Sequence, residues 1–206
     1  MKLNTPNKLT VLRLILVPIF LIFGMLPNSI IPFYISCFIC AVLFIGTAVT
    51  DMLDGKIARR DGLITDFGKF LDPVADKFMV IGALFVILYK FENLRLPMII
   101  TLIIIVFREL AVTSMRLVVS TGEGIVVAAN SLGKIKTVSQ IVFISTVFLE
   151  PVVEYIVELI VGGADNNIIH GIYPLTWATM VFTLVMTVWS GINYILSYWK
   201  YIDPEK

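Results

Sequence analysis

The chain has 206 residues and a net charge of +1; 58% of the residues are hydrophobic, 15% are charged, and the mean hydropathy is +0.94. A soluble domain is about half apolar and about a quarter charged, so one small globule cannot bury this much apolar surface. The composition therefore excludes an ordinary soluble protein and predicts a single membrane-embedded domain over residues 1–206. The near-neutral charge gives no indication of a nucleic-acid partner.

A bilayer is crossed by about 20 helical residues, and six stretches of the chain are long enough. In chain order they cover residues 9–26, 30–59, 65–89, 96–119, 131–161 and 172–199. The second stretch is apolar to Val49 and continues as polar helix to about Arg59, while the fifth is apolar to Leu149. The prediction is an all-α bundle of six transmembrane helices with a juxtamembrane N-terminal segment. In that segment Pro6 favours a helix start, and Lys8 and Arg13 are expected to be anchors at the headgroup level.

Basic residues near the ends of the six stretches are distributed unevenly, and this predicts the topology. One side receives Lys90 and Arg95. The other side receives Lys2, Lys8, Arg13, Lys56, Arg59, Arg60, Lys69, Arg116, Lys134, Lys136, Lys200 and Lys206. Both termini are therefore expected in the cytoplasm, and the charged residues at membrane depth lie near that same face.

Carboxylates cluster where the second and third helices are joined by a short turn around Asp61-Gly62. At 100° per residue, Asp51 and Asp54 share one face of the second helix, while Asp72 and Asp76 share one face of the third. If the two faces meet, four carboxylates occupy one small volume. Ionisable groups at membrane depth are costly and are functional by default. Divalent cations would neutralise them, and oxygen ligands favour hard ions such as Mg²⁺ or Mn²⁺ together with a phosphate-bearing substrate.

Small residues accompany these acids on the same helix faces. They are Gly55, Ala58 and Gly68. Close packing of membrane helices is one explanation. A flat floor for a bound nucleotide is the other, and it explains why the small residues share a face with the carboxylates. Arg59 is either a topological anchor or a phosphate contact.

The whole segment resembles the signature D-x2-D-G-x2-A-R-x8-G-x3-D-x3-D of the CDP-alcohol phosphatidyltransferase family. All eight fixed positions are present at the family's spacing: Asp51, Asp54, Gly55, Ala58, Arg59, Gly68, Asp72 and Asp76. The resemblance implies an enzyme that binds two divalent cations through the four aspartates, with Asp76 also acting as the base on the acceptor hydroxyl. It further implies that Asp51, Gly55, Ala58, Arg59, Gly68 and Asn7 contact the CDP group. As the alternative to an anchoring role, it places Asn7, Thr10 and Arg13 close to the nucleotide.

A second polar cluster lies in F-R-E-L-A-V-T-S-M-R of the fourth helix and in G-K-I-K-T, which opens the fifth. Arg108 and Arg116 are about 80° apart on a helical wheel and can face one cavity, and Glu109 is placed to pair with Arg116. The predicted site binds an anionic acceptor through Arg108, Arg116, Lys134 and Lys136. Cytoplasmic anchoring with snorkelling stems is the alternative for the lysines and Arg116.

Together with the N-terminal N-T-P-N-K-L-T-V-L-R, these motifs resemble the branch of the family whose acceptor is sn-glycerol 3-phosphate. The resemblance implies CDP-diacylglycerol as donor, a homodimer in the bacterial cytoplasmic membrane, and an active site facing the cytoplasm. Another acceptor, such as inositol phosphate or serine, is the alternative within the family. A metal-ion channel or transporter is the alternative outside it, although neither repeat symmetry nor a midplane acidic site is evident.

Overall fold

The computed structural model of the protein describes residues 5–61, 66–122, 131–161 and 173–199. The side chains of residues 5–6, 54–59, 61, 66–67, 69, 120–122 and 161 lie outside that description. The described residues form six long α-helices and no strand. The helices are α1 (Thr5–Met25), α2 (Phe33–Asp61), α3 (Asp66–Lys90), α4 (Arg95–Gly122), α5 (Ser131–Val161) and α6 (Pro174–Tyr198). A 3₁₀ turn at Glu92–Leu94 precedes α4.

The helices confirm the all-α membrane bundle. Five of them are long and apolar enough to cross a bilayer: α1, α2, α4, α5 and α6. With 25 residues α3 is long enough to cross a bilayer. It is not apolar enough by the same measure, because Asp72, Asp76 and Lys77 interrupt its apolar run. These three charged residues lie in the half of α3 where the acidic signature is found.

Local sequence accounts for several helix ends and irregularities. Pro174 opens α6, where a missing backbone N–H has no cost. Prolines also lie inside α1, α3 and α5, at Pro18, Pro73 and Pro151. Proline is tolerated in membrane helices because neighbouring groups satisfy the freed backbone carbonyl. The polar extension of α2 is continuous helix to Asp61, as the sequence predicts.

The Cα positions divide the chain into two compact units, while a single domain over residues 1–206 stays a prediction. Unit 1 comprises residues 1–95 and 144–173. Within it, α1 packs against both α2 and α3. Phe20 lies at its centre, with its ring 5.7 Å from Phe148 and 6.3 Å from Phe44. At the far end of α3, Lys90 Nζ donates a 2.8 Å hydrogen bond to Ser36 Oγ.

Unit 2 comprises residues 96–143 and 174–206, and so contains α4, the first half of α5, and α6. Its interior is more polar than that of unit 1. Thr183 of α6 donates a 2.9 Å hydrogen bond to the carbonyl oxygen of Ser139 in α5. Arg108, Lys136, Gln140 and Ser190 are also buried there. Because buried polar groups need partners in hydrocarbon, these contacts hold the three helices in register.

Candidate active site

One face of α1 is buried along its whole length. In its first half this face carries Asn7, Thr10 and Arg13, and in its second half it carries Val17 and Phe20. The spacing of three and four residues keeps all of them on one side of the helix. The polar residues therefore continue the phase of the apolar core and point into unit 1. Lys8 is exposed, as expected of an anchor.

The polar half of this face contacts two of the signature aspartates. Thr10 Oγ1 donates a 2.6 Å hydrogen bond to Asp72 Oδ1. Arg13 NH1 lies 2.9 Å from Asp51 Oδ1. Since residues 10 and 13 are neighbours on one helix face, the same stretch of α1 holds a carboxylate of α2 and a carboxylate of α3. The α1 contacts thus bring the two halves of the acidic signature to one place.

The Arg13 side chain is only 2% exposed, whereas that of Asp51 is 47% exposed. A headgroup anchor would keep its guanidinium in water, so the expectation of an anchoring role for Arg13 is wrong. The buried cation instead holds Asp51 and supplies positive charge next to the acidic cluster.

The remaining signature residues are placed as follows. Gly68 is buried, and Asp76, one turn after Asp72 in α3, is exposed. The side chains of Asp54, Gly55, Ala58 and Arg59 lie outside the described residues, although all four belong to the helical part of α2.

The donor set determines which metals would fit. Every candidate ligand is a carboxylate oxygen, and Mg²⁺ is bound in proteins through a few carboxylates completed by substrate phosphates and water. Within the described side chains, no group of three or more Asp, Glu, His or Cys residues is close enough to hold a metal by protein ligands alone. Such a site fits a cation that arrives with, or is completed by, a phosphate-bearing substrate.

The second polar cluster lies in unit 2, around Arg108 of α4. Arg108 NH2 donates a 2.6 Å hydrogen bond to Ser190 Oγ of α6. Its NH1 lies 3.5 Å from the carboxylate of Glu109, and Glu109 also forms an ion pair with Lys136 Nζ of α5. The buried Arg108 thus draws together all three helices of unit 2.

Arg116 lies two turns further along α4, near the same part of α6. Its NH2 donates a 2.5 Å hydrogen bond to Tyr194 Oη, and its Cζ lies 5.1 Å from the Tyr194 ring centroid. The expected pairing of Glu109 with Arg116 is wrong, because Glu109 turns to Lys136 on α5 while Arg116 turns to α6. That Arg108 and Arg116 share a side of α4 is confirmed, since Arg108 Cζ lies 5.8 Å from the same ring.

Lys134 is separated from this cluster. Because Lys134 and Lys136 are two residues apart, their side chains point about 200° apart around α5. Lys134 is exposed, whereas Lys136 is buried. Together with Val138, Val142 and Phe182, it lines an open apolar groove of about 280 Å³. Of the four cations predicted to bind an acceptor, the structure brings Arg108, Arg116 and Lys136 to one cluster and places Lys134 on a different face.

Sequence reasoning did not assign a role in the site to Ser190 or Tyr194, whereas the family resemblance placed Thr10 near the nucleotide. For Thr10 a signal exists: the spacing of Asn7, Thr10, Arg13 and Val17 follows one helix face. For Ser190 and Tyr194 no local signal exists, because small and aromatic residues are ordinary in membrane helices. Their partners lie about 80 residues away in sequence.

Comparison with known proteins identifies the family of the chain. The family model described as CDP-alcohol phosphatidyltransferase matches residues 3–189. A Bacillus subtilis (strain 168) protein named CDP-diacylglycerol–glycerol-3-phosphate 3-phosphatidyltransferase is 39% identical over 206 residues, with 96% of each chain covered. Proteins of the same name from Yersinia enterocolitica and Sodalis glossinidius are 32% and 33% identical over 203 and 198 residues, covering 97% and 95% of this chain and 97% and 94% of their own. The chain therefore belongs to the CDP-alcohol phosphatidyltransferase family.

Proposed function

We propose that this membrane protein transfers the phosphatidyl group of CDP-diacylglycerol to sn-glycerol 3-phosphate, giving phosphatidylglycerophosphate and CMP. The names of relatives that align over nearly the whole chain support these substrates. The observation that carries the choice of acceptor is the convergence of Arg108 and Arg116 on one ring within unit 2. Two guanidinium groups held this way suit a phosphate, which arginine binds in bidentate geometry.

The donor side of the reaction belongs to the acidic signature. Asp51, Asp54, Asp72 and Asp76 would hold two Mg²⁺ or Mn²⁺ ions. When bound, such cations neutralise the diphosphate of the donor and the charge that develops on the leaving CMP. Thr10 and Arg13 keep Asp72 and Asp51 in place through the contacts described above.

The CDP group is assigned to Asn7, Asp51, Gly55, Ala58, Arg59 and Gly68. Glycine and alanine on these faces leave room for the nucleotide, and Arg59 adds a cation for its phosphates. The acceptor hydroxyl oxygen forms a bond to the phosphorus that carries diacylglycerol, and the bond from that phosphorus to CMP breaks. Asp76 takes the hydroxyl proton, a role that its exposed position in α3 allows.

The acceptor phosphate is assigned to Arg108, Arg116 and Lys136, with Lys134 contributing less because it faces the apolar groove. Glu109 keeps Lys136 and Arg108 close together before the substrate arrives. Glu109 supplies one negative charge to the three cations, and a neutral acceptor such as glycerol or serine would add none. This explains why a phosphorylated alcohol suits the site better than serine.

We further infer a homodimer in the bacterial cytoplasmic membrane with the active site facing the cytoplasm. This orientation predicts how single cysteines react with a membrane-impermeant thiol reagent, after the buried Cys37 and Cys40 are replaced by alanine. In intact cells Lys206→Cys should be protected and Asn166→Cys should be labelled; both positions lie outside the described residues. The opposite labelling pattern would refute the orientation.

Thr10→Val tests the coupling of α1 to the acidic signature. Valine keeps the shape of threonine but cannot donate to Asp72, so the carboxylate loses its orientation. Removing such a supporting hydrogen bond typically costs about 10- to 100-fold in metal affinity. We expect the Mg²⁺ concentration for half-maximal activity to rise at least about 10-fold. Thr101→Val is the matched control, because its hydroxyl bonds only to a carbonyl of its own helix. Coinciding Mg²⁺ curves for wild type and Thr10→Val would refute the coupling.

The proposed function is tested by CMP release from CDP-diacylglycerol with a panel of acceptors. Purified protein in detergent–lipid micelles should release CMP with sn-glycerol 3-phosphate and far more slowly with glycerol, serine or inositol phosphate. EDTA should stop the reaction, and Mg²⁺ or Mn²⁺ should restore it. Preferential use of inositol phosphate or serine would keep the family and replace the acceptor.

A further inference from the structure

The two arginines assigned to the acceptor are both held by one short stretch of α6. This stretch, the α6 platform, consists of Ser190, Gly191 and Tyr194. Ser190 Oγ accepts a hydrogen bond from Arg108, and Tyr194 Oη accepts one from Arg116. Residues 190 and 194 are one turn apart, so both acceptors lie on one face of α6. Neither contact follows from the spacing of the arginines in α4.

The α6 platform is buried beneath the arginines. Tyr194 is 2% exposed and Ser190 is fully buried, so neither side chain presents an open surface to a substrate. Arg116 by contrast is exposed. Arg108 Nε has no hydrogen-bond partner among the described residues. The platform therefore occupies some of the guanidinium donors and leaves others available for an anion.

Electrostatics explains why one aromatic ring contacts both cations. Two guanidinium groups repel each other, and within the described residues no carboxylate pairs with Arg116. The face of Tyr194 attracts both cations, whose Cζ atoms lie 5.8 Å and 5.1 Å from its centroid. The ring thus offsets part of the repulsion without adding a second carboxylate to Glu109, which already lies beside Arg108 and which any further carboxylate would join in competing with the acceptor phosphate.

Packing fixes the aliphatic part of the Arg108 side chain in addition to its guanidinium group. A Cβ added at Gly191 would lie 3.2 Å from Arg108 Cγ, which is closer than ordinary contact. Glycine at this position lets the arginine stem lie directly against the backbone of α6. On the other side of the platform, Gly133 of α5 faces the Tyr194 ring. The ring is thereby seated between α4 and α5.

We propose that Ser190 and Tyr194 are positioning residues for the acceptor phosphate: they fix Arg108 and Arg116 so that both guanidinium groups bind one phosphate monoester. This inference rests on the proposed function, since it assigns the two arginines to the acceptor. It adds a role for α6 that is exerted through Arg108 and Arg116, without direct contact between α6 and the substrate.

The test is a kinetic comparison of Tyr194→Phe, Ser190→Ala and a control, with separate titrations of glycerol 3-phosphate and CDP-diacylglycerol. Phenylalanine keeps the ring and loses only the hydroxyl. Because the lost hydrogen bond orients Arg116 and does not itself contact the phosphate, the effect is smaller than that of losing a direct charged contact, and we expect KM for glycerol 3-phosphate to rise roughly 3- to 30-fold. For Tyr194→Phe, whose partner Arg116 is exposed and can bond to water instead, KM for CDP-diacylglycerol and the thermal unfolding midpoint in detergent should stay close to wild type. Ser197→Ala is the matched control, since its hydroxyl bonds within α6.

A double-mutant cycle separates positioning from general packing. In an Arg116→Ala background, Tyr194→Phe should raise KM for glycerol 3-phosphate less than about 2-fold further, because the hydroxyl has lost its partner. If both single effects simply multiply, or if Tyr194→Phe and Ser190→Ala behave like Ser197→Ala, the positioning role is refuted while the proposed function stands. If Arg108→Ala and Arg116→Ala themselves leave KM for glycerol 3-phosphate unchanged, the acceptor assignment fails and the positioning role fails with it.

Discussion

Replacement of Asp51 or Asp72 by asparagine is expected to abolish turnover. Asparagine keeps the shape of the side chain and removes the charge that a divalent cation requires. Cation binding contributes several kcal/mol to stabilising charge in the transition state, so each substitution should lower kcat at least about 1,000-fold. The measurement is CMP release at saturating Mg²⁺, with Asp54→Asn as a third variant.

Glu92→Gln provides the control for a lost carboxylate, because Glu92 is exposed and pairs with the exposed Arg95 beyond the end of α3. Its activity should equal that of wild type. The structure adds a distinction between the two aspartates. Asp51→Asn removes the ion pair that the buried Arg13 forms with Asp51, and losing such a pair is destabilising for a buried charge, so this variant should also unfold at a lower temperature. Near-normal CMP release by any two of the three asparagine variants would contradict the assignment of the metal site.

Arg108→Ala is expected to weaken use of glycerol 3-phosphate severely. The loss of one charge-assisted contact to a phosphate costs roughly 1.5–3 kcal/mol, or about 10- to 150-fold in kcat/KM. Apparent affinity for CDP-diacylglycerol should change much less, because the donor belongs to the acidic signature. Glycerol lacks the phosphate, so it should be a poor acceptor for wild type and lose little further in the variant.

Lys134→Ala gives the internal comparison for this prediction. From the sequence alone Lys134 is equivalent to Lys136, but in the structure it is exposed beside an apolar groove. Its substitution should therefore cost much less than Arg108→Ala. An equal loss of affinity for donor and acceptor in Arg108→Ala would show that this arginine does not belong to a separate acceptor site.

Much of the fold is predictable because the bilayer imposes simple rules. Spans of about 20 apolar residues must be helical, so the order and approximate limits of all six helices follow from the sequence. The composition of α3 is the exception. The first turns of α3 carry the acids of the signature, so this part of the helix is less hydrophobic than the other membrane-spanning segments.

The acidic site stays a prediction, and it rests on residues that are close in sequence and repeat with helical spacing. Contacts between segments that are distant in sequence could not be predicted. Arg13 looks like a basic anchor beside Lys8 until its burial against Asp51 is seen. The partner of Glu109 was misassigned for a similar reason: residues 109 and 116 share a helix face, but a side chain on a neighbouring helix, Lys136, is closer. Helical spacing shows which residues share one face of a helix, but it does not show which neighbouring helix packs against that face.

The central claim is that one phosphatidyl group passes from CDP-diacylglycerol to glycerol 3-phosphate for each CMP released. The direct measurement uses purified protein, CDP-diacylglycerol and ¹⁴C-labelled sn-glycerol 3-phosphate, and follows CMP together with label extracted into the lipid phase. The account predicts that labelled phosphatidylglycerophosphate and CMP appear in equal amounts, and that neither appears with EDTA. Release of CMP without labelled lipid, or labelled lipid that forms without CDP-diacylglycerol, would contradict it.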